Sequence, residues 1–196
     1  MNDGNTLRNM QALSSAPQKP VARFQAFGPF NVPVNDSGHL DHSHSARAAF
    51  WREVEGREPG LSNACGCFIL SILGCEPLPW YVGTAADAPF VAACLSGRVA
   101  RSFGLAVNEG SHQPIHLHLI ARLTPAEHLA RPGRRQITEI RFLGRSLVGF
   151  CMNRNPHLAH ELGASYHSHS SVAGVLQGHR IRPNLDHRAL RRVLGL

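Results

Sequence analysis

Two histidines separated by one residue have the spacing of a metal-binding pair. His116 and His118 lie in HQPIHLHLIARL, whose alternating apolar residues predict a strand with both imidazoles on one face. Two such rings suit zinc or another transition metal. A third ligand could come from His112, Cys65 or Cys67. The alternative interpretation is the polar face of a half-buried strand.

The cysteines are five, an odd number, and several lie among apolar residues. Cys67, Cys94 and Cys151 have such surroundings, which predicts buried, reduced thiols. Cys65 and Cys67 flank one glycine. A buried structural role is favoured over redox chemistry for this pair, because no charged activator is nearby in sequence.

The chain of 196 residues carries a formal net charge of +7 and has a pI near 9.9. That excess permits binding to phosphate-rich partners, although an arginine-rich solvated helix face has the same composition. The candidate phosphate contacts are Arg98, Arg101, Arg134 and Arg135. Further arginines near the start of the longest predicted helix are Arg131, Arg141 and Arg145.

The hydrophobic content of 43% is sufficient for a packed core. The N-terminus lacks the apolar segment of a signal peptide, and no apolar run approaches about 18 residues. We therefore expect a cytoplasmic protein without a membrane partner.

The elements that must position these residues follow from hydrophobic periodicity and turn signals. They are a helix before the hairpin, a two-stranded hairpin with a GCEP turn, a helix, the histidine strand, a long helix and a short basic C-terminal helix. The first helix covers 46–56, and the two strands of the hairpin cover 67–73 and 79–84. The next helix covers 88–104, the histidine strand 112–123, the long helix 135–154 and the C-terminal helix 184–196. This order predicts an α/β (α+β) fold with a small, mostly antiparallel three-stranded sheet flanked by helices.

Three segments are expected along the chain. Residues 1–45 form a disordered or extended N-terminal arm, of which 21–34 is extended and punctuated by proline. Residues 46–160 form the domain, and 161–196 form a loop and the short basic helix.

The motifs GCF (66–68) and YVG (81–83) resemble the paired signature of the GIY-YIG nuclease superfamily. The element order matches that fold. The tryptophan before the hairpin, PWYVG, RLTP after the third strand and NP after the long helix resemble small bacterial GIY-YIG-type proteins. The resemblance covers about residues 46–160.

The resemblance implies phosphodiester hydrolysis with one divalent ion, Mg²⁺ or Mn²⁺, held by a glutamate on the long helix. Tyrosines of the hairpin and a lysine act on the attacking water, and an arginine on the next helix stabilises the phosphorane. A hard cation prefers carboxylate oxygen, and phosphoryl transfer depends on positioning and charge stabilisation.

This sequence departs from that pattern at several positions. The first signature tyrosine falls on Phe68, which has no hydroxyl, and the second on Tyr81, the retained catalytic candidate, which has a core role as its alternative. The lysine falls on Thr84. Residues 88–96 contain no arginine, and Arg98 and Arg101 come later than the family's arginine.

The metal-binding glutamate falls on Gly144 when the long helix is aligned on its terminal NP. Gly144 lies on the apolar stripe with Ile140 and Leu147, so it is expected to face inward. Glu139, the only carboxylate of this helix, lies about 140° round the axis from Gly144.

The sequence therefore predicts a nuclease-like domain with a degenerate site and no required cofactor, which binds DNA, RNA or another anionic partner. One alternative is an active endonuclease in which Tyr81 acts with His116 or His118 and Mg²⁺ or Mn²⁺. Another is a protein-interaction module whose former catalytic face is a packing surface.

Overall fold

The computed structural model describes residues 22–107, 113–160, 170–172, 174–176 and 184–196. The predicted disorder of the first 20 residues, most of the predicted loop at 161–183, and His112 lie outside the described residues. The described chain forms a mixed α+β fold with one sheet.

Within the described ranges the sheet has six strands in the order β5-β3-β2-β4-β1-β6. Four long strands pair antiparallel, and the short β5 and β6 lie parallel to their neighbours at the two edges. The strands are β1 (Ala22–Asn31), β2 (Gly66–Leu73), β3 (Pro77–Ala85), β4 (Ile115–Arg122), β5 (Ala159–His160) and β6 (Ser170–Val172). The predicted class is correct, but the prediction of three strands is wrong.

The main error is β1, which we expected to be an extended arm lying on the domain. It pairs with β4 and is interrupted by a register shift between Phe27 and Phe30, where a cis Gly28–Pro29 bond lies. This interruption breaks the alternating pattern by which a strand is recognised in sequence. β1 therefore belongs to the same sheet as the hairpin, although it lies outside the predicted range 46–160.

Five helices of the described chain cover the sheet. They are α1 (His44–Arg57), α2 (Phe90–Ala93), α3 (Gly97–Val107), α4 (Arg134–Arg154) and α5 (Leu185–Leu194). The single helix predicted over 88–104 is thus two helices, while the long helix agrees with its prediction to within one residue. Among the described helices, none combines the length and apolar composition that a membrane crossing requires.

Alternate side chains of the strands enter two separate cores. We call the side covered by α1, α2 and α3 the first face, and the side covered by α4 and α5 the second face. Phe68, Tyr81 and Leu117 point to the first face. Ile69 and Val82, each next to one of them in sequence, point to the second.

Local sequence signals set the end of α4 and the start of α5 on the second face. Asn155 donates its backbone N–H to Cys151 O and is followed by proline, which disfavours helical backbone at Asn155. α5 starts at a capping box in which the Asn184 side chain accepts the His187 N–H at 2.9 Å. Leu190, Val193 and Leu194 of α5 are buried against the sheet.

Candidate functional site

The signature residues of the hairpin pack against one another in the first face. Tyr81 is only 1% exposed, and its ring lies 5.8 Å from that of Phe68, at an interplanar angle of 27°. Phe68 is also the cross-strand partner of Gly83, and a Cβ atom at Gly83 would collide with its ring. The hairpin therefore has a packing reason for its aromatic and glycine residues.

Gly66, the first residue of the other signature, is also required by packing. A Cβ atom there would collide with the Ile120 carbonyl oxygen of β4 and would come within 2.9 Å of the Phe90 ring. Both signature glycines thus permit close approach, independently of any chemistry.

Gly144 is buried on α4, as its place in the apolar stripe predicts. α4 nevertheless packs on the second face, where its neighbours Ile140 and Leu147 join a core that does not include Tyr81. Tyr81 belongs to the core of the first face. The sheet therefore separates Tyr81 from the position where the resemblance places a metal-binding glutamate.

Glu139 does not replace that glutamate. Its Oε2 accepts a hydrogen bond from Arg122 Nε at 2.6 Å, and the Arg122 guanidinium lies 5.7 Å from the Phe24 ring centroid. This half-buried ion pair joins the start of α4 to the end of β4. Glu139 has a structural partner on the second face, away from Tyr81.

The two histidines of β4 lie on the second face, because His118 pairs with Ile69 and the adjacent Leu117 points to the first face. The alternative of an active endonuclease requires Tyr81 to act with His116 or His118. The sheet instead places Tyr81 on the opposite face from both histidines. Among the described residues, no three His, Cys, Asp or Glu side chains are arranged to hold a metal ion. His112 lies outside the described residues.

His118 is the most unusual polar side chain of the second face. It is 2% exposed, and its Nε2 atom lies 3.3 Å from Ser71 Oγ. Its Nδ1 atom is buried and has no partner within the described part of the chain. Burial, with a smaller effect of His116, lowers the pKa of His118 to about 3, so the ring is neutral at pH 7. An unpaired buried nitrogen costs about 1–3 kcal/mol unless something binds it.

The cysteine pair is buried, which supports the favoured structural interpretation. Cys65 and Cys67 are both fully buried, and the Cys67 thiol donates to Ile140 O at 3.3 Å. Burial raises the pKa of Cys65 to about 11 and that of Cys67 further. Both sulfurs are therefore protonated and poorly nucleophilic at neutral pH. All five cysteines are free thiols, and only Cys75 is exposed.

The four arginines predicted to contact phosphate are exposed, but they belong to helices on different faces. Arg98 and Arg101 lie on α3, whose buried Val99 joins the core of the first face. Arg134 and Arg135 start α4 on the second face. They do not belong to one helical surface.

A single helical surface instead runs along α4. Arg134, Arg141 and Arg145 are exposed and lie within about 40° of one another round the axis, over about 16 Å of helix. Glu139, the one carboxylate of α4, is bound to Arg122 and lies well away from this row. We call these three residues the α4 arginine row. The spacing could have identified it in the sequence, if helical phase had been applied to the charged residues as well as to the apolar ones.

An open cavity of about 620 Å³ lies at the end of the second face. Its wall includes the end of the hairpin, both histidines of β4 and the last turns of α4 and α5. Polar wall residues are Cys75, Glu76, His116, His118, Arg154 and Arg192. Sequence reasoning identified the histidines but missed the two arginines, because only the packing of α5 against the sheet brings Arg192 close to them.

No protein-family model, curated protein or solved structure matches this chain. The GIY-YIG resemblance therefore stays a prediction based on its motifs and element order.

Proposed function

We propose that this chain is a GIY-YIG-like domain that binds nucleic acid through its phosphates and does not cut it efficiently. The observation that carries the proposal is the α4 arginine row. Three guanidinium groups project from one side of the longest helix, and none is paired with a carboxylate within the described part of the chain.

Binding without cutting is favoured by the surroundings of Tyr81 within the described residues. The ring is enclosed by the first core, while α4 has glycine at the proposed metal position and lies beyond the sheet. Catalysis of phosphoryl transfer depends on groups that converge on one phosphorus centre. Binding a phosphate backbone needs only accessible positive charge.

Phosphate contacts determine how steeply binding depends on salt. Each phosphate contact lowers the slope of log K against log salt by about 0.9 on duplex DNA and about 0.7 on single strands. Removing three contacts should therefore make the slope less steep by about 2 to 3 units. A loss of this size separates phosphate contact from an indirect effect of a variant on folding.

The test compares two triple variants that remove the same charge from opposite sides of the molecule. One is R134Q/R141Q/R145Q in the α4 arginine row. The matched control is R52Q/R98Q/R101Q, whose exposed positions lie on α1 and α3 of the first face. Binding to a duplex and a single-stranded oligonucleotide is measured by fluorescence anisotropy across a salt series.

We expect the row variant to lose affinity and slope while the control keeps most of both. Equal losses in the two variants would show that binding depends on the net positive charge and not on the α4 arginine row. Binding by the wild type that is absent, or insensitive to salt, would remove it.

A further inference from the structure

The cavity of the second face has the size of a small-molecule site. Its volume of about 620 Å³ is within the range of about 300–1,000 Å³ that such sites occupy. It is bounded by different kinds of element: hairpin, strand and two helix ends. Part of its wall is apolar and is formed by Leu73, Ala189 and Val193.

The charges on this wall are unequal. Arg154 and Arg192 supply two positive charges, and Glu76 supplies one negative charge. Arg154 Nη2 donates to Glu76 Oε2 at 2.8 Å, while Arg154 Nε is buried without a partner among the described residues. Glu76 is mostly exposed, at 72%. The Arg192 charge is thus left uncompensated by any carboxylate of the wall.

The two helix ends reduce that charge without cancelling it. Bare carbonyls give a helix end about half a negative charge, but the last turn of α5 is closed by the backbone N–H groups of Gly195 and Leu196. α4 ends on its ordinary Asn155 N–H to Cys151 O bond, so its last carbonyls keep that partial charge. The full charge of Arg192 exceeds the partial charge of this one helix end.

His118 supplies a second, independent indication of a ligand. It is almost completely buried, lines the cavity, and has one ring nitrogen without a partner in the described residues. The half-buried His116 lies two residues before it, on the same wall. A neutral imidazole can donate one hydrogen bond and accept another, so it suits an oxyanion or a hydroxyl group.

We propose that this cavity binds a small organic oxyanion, a carboxylate or a phosphate monoester carried on an apolar body. Arg192 and Arg154 bind the charged group, Leu73 and Val193 contact the apolar body, and the His118 ring lines the buried part of the wall. A metal ion is not the ligand favoured by this wall, because no group of three suitable ligands exists among the described residues.

The test uses three probes with similar rings: phenyl phosphate, benzoate and the neutral benzyl alcohol. Affinity is measured by titration calorimetry. The site is located by two-dimensional NMR of the histidine ring nitrogens, in which the resonances of His118 are identified by their loss in H118F. The charge test is R192Q, with R191Q as the matched control, because Arg191 is the neighbouring exposed arginine outside this wall.

We expect at least one anion to bind with a dissociation constant of about 1 mM or tighter and to shift the His118 ring resonances. R192Q should weaken binding by about tenfold, since a charge-assisted hydrogen bond is lost, whereas R191Q should bind as the wild type does. The preference between phenyl phosphate and benzoate identifies the oxyanion.

Four results would overturn the proposal. They are no saturable binding of either anion, equally tight binding of benzyl alcohol, equal effects of R191Q and R192Q, and binding that leaves the His118 resonances unmoved. The arginines involved differ from the α4 arginine row, so this result and the nucleic-acid result are independent.

Discussion

Tyr81 and His118 are both buried in one sheet, at 1% and 2% exposure, but they point to opposite faces. Around Tyr81 the first face is filled with aromatic and aliphatic side chains. Around His118 the second face includes most of the buried polar residues of the described chain: Ser71, His118, Ser146, Asn155 and His187. Burial alone therefore does not indicate which residue has a function.

The two residues differ in what their burial costs. An apolar core is stabilised by every contact it makes, so Tyr81 needs no functional explanation. A buried polar atom without a partner opposes folding and persists only if other interactions compensate for it. Such atoms occur on both faces of the described chain, including Trp51 Nε1 on the first face, but only His118 Nδ1 and Arg154 Nε belong to residues that line the cavity. The cavity is therefore the better place to look for a ligand.

The largest expected effect is a loss of stability when the packing of the first face is disrupted. Phe68→Ala removes the ring that covers Gly83 and stacks on Tyr81, and should lower the free energy of unfolding by about 3–5 kcal/mol. Leu105→Ala, at a position 75% exposed, is the control and should change it by less than about 0.5 kcal/mol. Denaturant unfolding measures both. A loss below about 1 kcal/mol for Phe68→Ala would contradict a tightly packed first face.

A smaller effect should come from pH and should arise on the second face. The unfolded chain takes up a proton at His118 below its ordinary pKa near 6.5, while burial keeps the folded ring neutral down to a pKa of about 3. The free energy of unfolding therefore does not depend on His118 above pH 6.5. As the pH is lowered further, it falls by up to about 1.4 kcal/mol per pH unit, which amounts to about 2 kcal/mol at pH 5. His116 and His187, whose pKa values burial also lowers, add to this slope.

His118→Phe should remove the contribution of His118 to the slope of the free energy of unfolding against pH. His116→Gln should leave that contribution unchanged. Unfolding curves recorded between pH 7 and pH 5 compare the three proteins. An unchanged slope in His118→Phe would show that the ring is protonated or hydrated in the folded state, and the contrast between the faces would weaken.

The smallest expected effect concerns the signature tyrosine itself. Tyr81→Phe retains the ring, so we expect a change in stability of about 1 kcal/mol or less and unchanged nucleic-acid binding. With Mg²⁺ or Mn²⁺ present, neither this variant nor the wild type should cut DNA or RNA in a gel assay. Metal-dependent cutting that Tyr81→Phe abolishes would restore Tyr81 as a catalytic residue.

The sequence predicted the elements with uninterrupted periodicity. The hairpin, the histidine strand, α4 and the buried stripe of α4 required only local spacing. β1 was missed because glycine and proline break its pattern, and the short β5 and β6 have too few residues for any pattern. Such strands form because the neighbouring strand provides hydrogen-bonding partners, which is a property of the tertiary structure.

The candidate site was harder to predict than the fold. Spacing correctly placed His116 and His118 on one face of β4 and turned Gly144 inward. It could not tell that Tyr81 and α4 lie on opposite sides of the sheet, because the side on which a helix packs depends on its connections and not on its own pattern. For the same reason it missed Arg154 and Arg192 beside the histidines.

The Phe68 ring above Gly83 also bears on how short nuclease signatures should be interpreted. That glycine would be required for as long as the aromatic ring covers it, even in a descendant that had lost every group able to activate water. A three-letter match of this kind reports the geometry of a hairpin. Whether a strand of DNA is cleaved depends on side chains that such a match does not include.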